Sequence, residues 1–200
     1  MGYKKPLQSR AIITENRLLE ALVNLLKVKP LSGLTIEEIA DTASLTKGAF
    51  LKRFGSKKQA LFLLWDRYID DSVALKNRLK ANLVNYRTAV DACAYISSEI
   101  ENMQAANFSI NRAMYEEYSE DLNIHPGTQR IFLECVDLVQ DVRKRFAYED
   151  TPRDERDFAA AQLLISLNFH FVLKAMPGLP VDAKKRHRLI GRLVVEALKH

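Results

Sequence analysis

A short segment near the start of the chain combines hydroxyl, small and cationic side chains in a spacing that suits a polyanion. The outward positions of a helix predicted over residues 46–54 are Thr46, Lys47, Gly48, Ala49, Lys52 and Arg53. The small residues lie at the amino-terminal end of this helix, and most of the cations follow. Such a helix fits the major groove of DNA, which is roughly 12 Å wide, with its first residues at the base edges. Lysine and arginine side chains then reach the flanking phosphates.

The residues around this segment predict the elements that would position it. Thr35 and the glutamate three residues later have the spacing of a capping box, which indicates the start of a short helix. Ala40 allows a second helix to approach closely, and Leu45 can fill the turn between the two. Phe50 and Phe54 are one helical turn apart and face inward. The pattern predicts a helix-turn-helix, although an ordinary helical hairpin with a solvated basic face would share it.

The net charge of the chain is concentrated in the same region. Residues 1–58 contain eleven Lys or Arg and five Asp or Glu, a net charge of +6, whereas residues 59–200 contain nineteen and twenty, a net charge of −1. A small basic unit followed by a larger neutral one indicates an anionic partner for the first. We therefore expect a DNA-binding domain at residues 1–58 and a second domain at 59–200. The cations at Lys4, Lys5 and Arg10 predict a flexible basic arm over residues 1–10.

The rest of the chain has helical periodicity, and no stretch alternates with period two. The predicted helices run from Thr14 to about Lys27, over 35–42 and 46–54, from Ser56 toward Leu75, and over 86–103, 108–120, 127–147, 154–175 and 182–199. We expect an all-α fold of about nine helices: a three-helix helix-turn-helix domain and a larger helical bundle. The most apolar segment, 159–176, carries too many polar residues for a bilayer span, so no membrane contact is expected.

The other residue types argue against several functions. Cys93 and Cys135 are too far apart in sequence for a zinc clamp and too few for a disulfide framework, which fits a reducing cytoplasm. The start of the chain lacks the apolar stretch of a signal peptide. Nucleotide-binding, serine-hydrolase and zinc-protease motifs are missing from the sequence, and its four histidines are scattered. We expect a cytoplasmic protein that is not an enzyme, with no catalytic residue, metal or cofactor.

Residues from about Thr14 to Leu64 resemble the N-terminal domain of TetR-family transcriptional regulators. The residues that carry the resemblance are Thr35, Ile39-Ala40, Ser44-Leu45, Thr46–Phe54 and Ser56-Lys57. The resemblance implies a sequence-specific regulator that binds double-stranded operator DNA. It also implies a repressor that leaves the DNA when a small molecule binds the C-terminal domain. The alternative is a ligand-independent DNA-binding or adaptor protein on the same fold.

The resemblance also implies roles for individual residues. Thr35 and Lys57 would contact phosphates near helix N-termini, where the helix dipole favours an anion. Lys47 would read a guanine or contact a phosphate. The predicted DNA-binding residues are Thr35, Thr46, Lys47, Gly48, Ala49, Leu51, Lys52, Arg53 and Lys57. The chain departs from the family pattern at Ser44, where Gly is usual and adopts positive φ most easily, and at Leu51, where Tyr is usual. Leu51 offers only an apolar contact, for instance to a thymine methyl group.

In this family the larger domain dimerises through its last two helices and often encloses a small-molecule pocket. The resemblance therefore implies a homodimer formed through the helices predicted at 154–175 and 182–199, and a possible effector. The candidate pocket residues are Trp65, Tyr95, Met103, Phe108, Tyr115, Tyr118, Phe169 and His170. Each of them alone is more often a core residue, because aromatic and methionine side chains at helical spacing normally pack against their neighbours.

Overall fold

The structure is a computed structural model that describes residues 9–118, 126–146, 152–172 and 182–199. Nine α-helices lie in these ranges: α1 Ser9–Leu26, α2 Ile36–Thr42, α3 Lys47–Phe54, α4 Lys57–Asn82, α5 Ala89–Ala106, α6 Phe108–Tyr118, α7 Pro126–Arg145, α8 Glu155–Val172 and α9 Ala183–Ala197. Short 3-10 turns lie at Leu31–Gly33 and Leu83–Asn85. The predicted all-α fold is confirmed, and the described residues contain no strand. None of the helices in these ranges is both long and apolar enough to cross a membrane.

The chain divides into two compact units. The described part of the first unit is residues 9–68 and 108–118, and that of the second is 69–107, 126–146, 152–172 and 182–199. The boundary that charge suggested, at residue 58, differs from this division. The reason is that α6 packs on α1 in the first unit, where the guanidinium of Arg112 donates a 2.5 Å hydrogen bond to the carbonyl of Leu26. The start of α4 also belongs to that unit.

The core of the first unit is built on one face of α1. Leu18, Leu22 and Leu26 recur every four residues and are completely buried. Ile39 and Ala40 of α2 are buried to the same extent. Full burial stabilises a leucine side chain by about 1.5–3 kcal/mol relative to exposure. The helical spacing of apolar residues is therefore sufficient to place α1 and α2 in a common core.

The second unit is organised around α5, which packs against α7, α8 and α9. Gly191 of α9 allows a close approach to α5. A Cβ atom at this position would lie 2.7 Å from the carbonyl oxygen of Val90 and 2.9 Å from the amide nitrogen of Ala94. Cys93 and Cys135 belong to the same core as free thiols, and burial raises the pKa of each to about 12. Neither thiol is therefore activated as a nucleophile.

Ionic and polar side chains are also buried in the second unit. Arg143 of α7 and Asp157 of α8 are both completely buried, and the guanidinium donates a 2.6 Å hydrogen bond to the carboxylate. Arg186 of α9 donates two hydrogen bonds to Glu101 of α5, of 3.0 Å from Nε and 2.7 Å from Nη2. The first pair joins the consecutive helices α7 and α8, and the second joins α5 and α9, whose paired residues are 85 apart in sequence.

A buried hydrogen-bond chain lies next to the second ion pair. The hydroxyl of Ser97 donates to Oδ1 of Asn168 at 2.9 Å, and its oxygen lies 3.0 Å from Nδ1 of His187. Because the hydroxyl proton is used on Asn168, the bond to His187 requires that Nδ1 carry a proton and donate it. Burial lowers the pKa of His187 below its ordinary value of 6.5, while nearby Glu101 opposes this shift. Burial thus favours the neutral form of this imidazole.

Candidate nucleic-acid interface

Helix α3 is fixed by a buried aromatic pair and by caps at both ends. Phe50 and Phe54 are 0% and 1% exposed, and their rings meet edge to face with centroids 5.0 Å apart. Thr46 caps the helix by accepting a 3.1 Å hydrogen bond from the amide of Ala49. Gly55 ends the helix in a positive-φ conformation, at φ 74°. The face opposite the two phenylalanines is left outward.

The turn between α2 and α3 contains Ser44, at the position where glycine is usual in the family pattern. Ser44 has a φ of 53°, in the left-handed region that favours glycine. Leu45, half-buried, donates its amide to the carbonyl of Ala40 at 2.8 Å. Arg17 of α1 supports the turn through a 2.6 Å hydrogen bond from its guanidinium to the carbonyl of Ala43. The helix-turn-helix is therefore completed without a glycine in its turn.

The outward face of α3 combines a glycine that has free space around it with exposed cationic side chains. Lys47, Gly48, Leu51 and Lys52 are exposed, and Ala49 is half-buried. A Cβ atom at Gly48 would meet only Oγ1 of Thr46, at 3.8 Å, so the helix has free space there. Lys52 forms no ion pair with any described residue. This face has the small amino-terminal residues and solvent-exposed cations that the sequence predicts.

Lys47 has a partner that the sequence did not indicate. Its ammonium group bonds the carboxylate of Glu37 in the first turn of α2. Each of the two side chains is 54% exposed. The hydrogen bond from Lys47 lowers the pKa of Glu37, so the carboxylate is charged at neutral pH. A negative charge therefore accompanies the first cation of α3.

Thr35 forms the predicted capping box at the start of α2. Its hydroxyl accepts a 3.1 Å hydrogen bond from the amide of Glu38, and its own amide donates to the Glu38 carboxylate at 2.8 Å. Lys29 bonds the same carboxylate, and this bond, together with those from Thr35, lowers the pKa of Glu38 to about 2. Both polar groups of Thr35 that could bind a phosphate are used within the protein. A phosphate would have to replace Glu38.

Lys57 is placed differently from the phosphate-binding role inferred for it. The side chain is half-buried, and its ammonium donates to the carbonyl oxygens of Leu31 and Leu34 at 2.8 and 2.5 Å. These carbonyls belong to the 3-10 turn before α2 and the residue that follows it. Lys57 therefore ties the start of α4 to the segment that leads into the helix-turn-helix.

Arg53 also differs from its expected outward position. Its guanidinium donates a 3.1 Å hydrogen bond to the carbonyl of Ala11, and its Nε lies 3.8 Å from a carboxylate oxygen of Glu15. Glu15 is only 3% exposed and accepts a 2.9 Å hydrogen bond from Arg67 of α4. The buried carboxylate attracts Arg53 toward α1, because a buried charge is stable only when it is paired.

Sequence reasoning thus missed two acidic residues, Glu15 and Glu37, that pair with cations of α3. Glu15 lies on the apolar stripe of α1, three residues before Leu18, and an acidic residue on a buried face signals an internal ion pair. Glu37 lies in the first turn of α2, where an acidic residue is usual because of the helix dipole. Only the tertiary contact with Lys47 distinguishes it from an ordinary helix-start glutamate.

The predicted pocket residues are divided between the two compact units. Trp65, Phe108, Tyr115 and Tyr118 belong to the first unit, and Tyr95, Met103, Phe169 and His170 to the second. Trp65 packs against Tyr68 and Tyr95 stacks on Tyr86, with ring centroids 5.0 and 5.4 Å apart, whereas Tyr115 is 59% exposed. The side chains of Tyr118 and His170 lie outside the described set, as do Lys4 and Lys5 of the predicted arm.

The first unit contains a groove with other lining residues. It has a volume of about 440 Å³ and lies between α1 and α4, where it is lined by Asn16, Leu19, Glu20, Val23, Asn24, Leu64 and Arg67. Among the residues that the structure describes, no cluster of His, Cys, Asp and Glu could hold a metal ion.

Comparison with known proteins relates this architecture to a family. Residues 18–63 match the model for bacterial regulatory proteins of the tetR family. No curated protein sequence matches the chain. Among solved structures, the TetR-family regulator PfmR from Thermus thermophilus is similar, with 16% identity over 90% of this chain and 97% of its own and a TM-score of 0.68.

Two other solved structures share the fold. The fatty acid degradation regulator FadR from Bacillus halodurans is 12% identical over 98% of this chain and 99% of its own, with a TM-score of 0.68. The TetR-family repressor FadR from Thermus thermophilus, solved in complex with lauroyl-CoA, is 19% identical over 92% and 94%, with a TM-score of 0.57. Residues 18–63 therefore match the N-terminal domain model of the bacterial tetR family, and the chain shares the fold of these solved structures, which confirms the resemblance inferred from its sequence.

Proposed function

We propose that the chain is a sequence-specific DNA-binding transcriptional regulator. The observation that carries this proposal is the outward face of α3, where Lys47, Gly48 and Lys52 are exposed above a fully buried aromatic pair. A short helix held in this way presents its first residues to base edges in a major groove. The basic charge of residues 1–58 adds attraction to phosphates.

The test begins with selection of a binding sequence from a random duplex library. The affinity of the selected duplex is then measured by electrophoretic mobility shift for the wild type, Lys47→Ala, Lys52→Ala and the control Lys184→Ala, an exposed lysine of α9. We expect each α3 variant to lose about tenfold or more, since a lost specific contact costs about 1–3 kcal/mol. Lys184→Ala should bind like the wild type. Failure to select any sequence, or equal losses in all three variants, would contradict the proposal.

A second variant separates DNA binding from folding. Gly48→Leu places a side chain in the free space in front of α3, where a Cβ has only one contact at 3.8 Å. Thermal stability should therefore be unchanged or raised, because leucine is a better helix former than glycine. DNA affinity should fall, because the helix can no longer approach the bases closely. Undiminished affinity would mean that this face does not enter the groove.

We also propose that the protein acts as a homodimer through α8 and α9. The proposal is supported by apolar side chains left outward on both helices: Phe158 of α8 is 38% exposed and Leu193 of α9 is 40% exposed. Leu193→Glu should shift the mass measured by size-exclusion chromatography with light scattering from dimer to monomer. Val84→Glu, which changes an equally apolar residue that is 69% exposed, is the control and should remain dimeric. A monomeric wild type would refute this proposal.

The proposed regulation is repression that ends when a small molecule binds the C-terminal domain of this cytoplasmic protein. The similar fold of the Thermus thermophilus repressor, which was solved with lauroyl-CoA, supports an acyl-CoA as the first ligand to test. Lauroyl-CoA should raise the melting temperature of the protein and weaken its binding to the selected duplex, because a ligand stabilises the state to which it binds. If it changes neither quantity, this chain does not share that ligand.

A further inference from the structure

The contact between α2 and α3 places a carboxylate at the face that would meet DNA. Lys47 is the first residue of α3, and its ammonium group bonds Glu37 in the first turn of α2. Both side chains are 54% exposed, so neither fills the core. An exposed ion pair of this kind contributes little to folding stability. The pair therefore matters through its position beside the outward face of α3, not through the folding stability that it adds.

The neighbouring glutamate has a clear structural role that Glu37 lacks. Glu38 closes the capping box with Thr35 and bonds Lys29, so its carboxylate helps to begin α2. The carboxylate of Glu37 takes no part in that capping box and is directed to Lys47. Replacement of Glu37 is therefore expected to leave the fold intact, which makes its effect on binding measurable.

A carboxylate at this position opposes binding to arbitrary DNA for two reasons. It repels phosphates directly, and it occupies the cation that would otherwise neutralise one of them. Non-specific affinity depends on the number of phosphates that lysine and arginine neutralise. At a matching sequence both groups have better partners, since an ammonium binds the O6 and N7 atoms of guanine and a carboxylate accepts from the amino group of cytosine.

We propose that Glu37 is a specificity-determining residue: it weakens binding to arbitrary duplex DNA and directs Lys47 to base edges. The proposal rests on the proposed function, because it assumes that α3 binds DNA. It assigns to Glu37 a role in discrimination between sequences rather than in affinity. The chemical partner of the Glu37–Lys47 pair is a guanine with an adjacent cytosine or other base that offers an amino group.

The experiment compares the wild type, Glu37→Gln and the control Glu20→Gln, an exposed glutamate of α1. Affinity is measured over a range of salt concentrations for the selected duplex and for a scrambled duplex of equal length. We expect Glu37→Gln to bind the scrambled duplex about fivefold more tightly than the wild type does, and to gain less affinity for the selected duplex. The specificity ratio, which is the affinity for the selected duplex divided by that for the scrambled one, should therefore fall. The slope of log affinity against log salt for the scrambled duplex should steepen by about 1, because Lys47 becomes available to a phosphate. Glu20→Gln should leave the ratio and the slope unchanged.

The outcomes distinguish the two proposals. If the wild type selects no sequence, the proposed function fails. If the wild type discriminates between the duplexes but Glu37→Gln leaves the ratio unchanged, the role of Glu37 is refuted and the proposed function stands. In a Lys47→Ala background the change of ratio on Glu37→Gln should disappear, since interacting residues are non-additive. A change that persists at full size would show that Glu37 does not act through Lys47.

Discussion

The two compact units differ in the polar contacts that they make between residues distant in sequence. In the first unit the caps of α2, α3 and α4 join residues three apart, as in Thr35 with Glu38, Thr46 with Ala49 and Ser56 with Gln59. In the second unit the buried partners of Ser97 lie 71 and 90 residues away, and the Arg186–Glu101 pair spans 85. Local caps also begin α5 and α9 in the second unit, at Thr88 and Asp182. The difference lies in the long-range contacts: several of those in the first unit run from cationic side chains to backbone carbonyls, as in Arg112 with Leu26, whereas these contacts of the second unit join buried side chains of distant helices. Four substitutions test this difference, from the largest expected effect to the smallest.

Removal of one charge from the buried ion pair of the second unit should have the largest effect. Asp157→Asn keeps the shape of the side chain but removes the nearest and fully buried carboxylate from Arg143, and it leaves the partly exposed carboxylate of Asp154 at 3.4 Å. The free energy of unfolding should fall by about 3 kcal/mol, the lower end of the range for a broken buried ion pair. Urea denaturation followed by circular dichroism measures this free energy, and the fluorescence of Trp65, the single tryptophan, reports on the first unit separately.

The control is Asp141→Asn, which breaks the more exposed pair with Lys80 and should lower the free energy of unfolding by less than about 1 kcal/mol. Similar losses in the two variants would contradict this account of the second unit.

The close approach of α9 to α5 can be tested with a single methyl group. Gly191→Ala brings a Cβ to 2.7 Å from the carbonyl oxygen of Val90, a backbone atom that can move only with its helix. Overpacking of this kind should destabilise the protein by about 2 kcal/mol. Gly48→Ala is the matched control, and it should leave thermal stability equal or higher because its Cβ meets open space. If both variants melt at the wild-type temperature, α5 and α9 are not in close contact.

Loss of the capping box should have a smaller effect. Thr35→Ala removes the hydroxyl that accepts from the amide of Glu38, and an N-cap of this type is worth about 1 kcal/mol. Thr14→Ala, which removes a hydroxyl within α1, should change the free energy of unfolding by less than about 0.5 kcal/mol. Both values can be read from urea denaturation monitored by Trp65 fluorescence. An effect at Thr35 no greater than that at Thr14 would show that α2 does not need its cap.

The smallest effect is a dependence of stability on pH at His187. Burial lowers its pKa in the folded protein below the ordinary 6.5, so the unfolded chain binds more protons between the two values. Stability should therefore be fully present above pH 6.5 and decrease as the pH falls below it. His187→Gln should flatten the curve of unfolding free energy against pH between about 7.5 and 5.5. An identical curve in wild type and variant would mean that this imidazole does not sense the acid range.

The sequence predicted the helices well because their signals are local. The capping box at Thr35, the helix over residues 46–54 and its inward pair Phe50 and Phe54 all depend on residues within one or two turns of each other. The exposed cations Lys47 and Lys52 follow from the same periodicity. The roles expected for Lys57 and Arg53 show where this reasoning stops. A lysine or arginine has the same local pattern whether it faces solvent or a carbonyl group of another helix.

The sequence by itself determined the all-α fold, the helix-turn-helix and the basic character of the first 58 residues, since periodicity, capping and charge are properties of short segments. The tertiary structure alone decided that Glu15 lies between Arg53 and Arg67 and that Glu37 bonds Lys47. It also decided that Ser97 forms hydrogen bonds with Asn168 and His187. Each of these contacts joins side chains from separate helices. A long flexible side chain can reach many partners, and the packing of the core selects which one it meets.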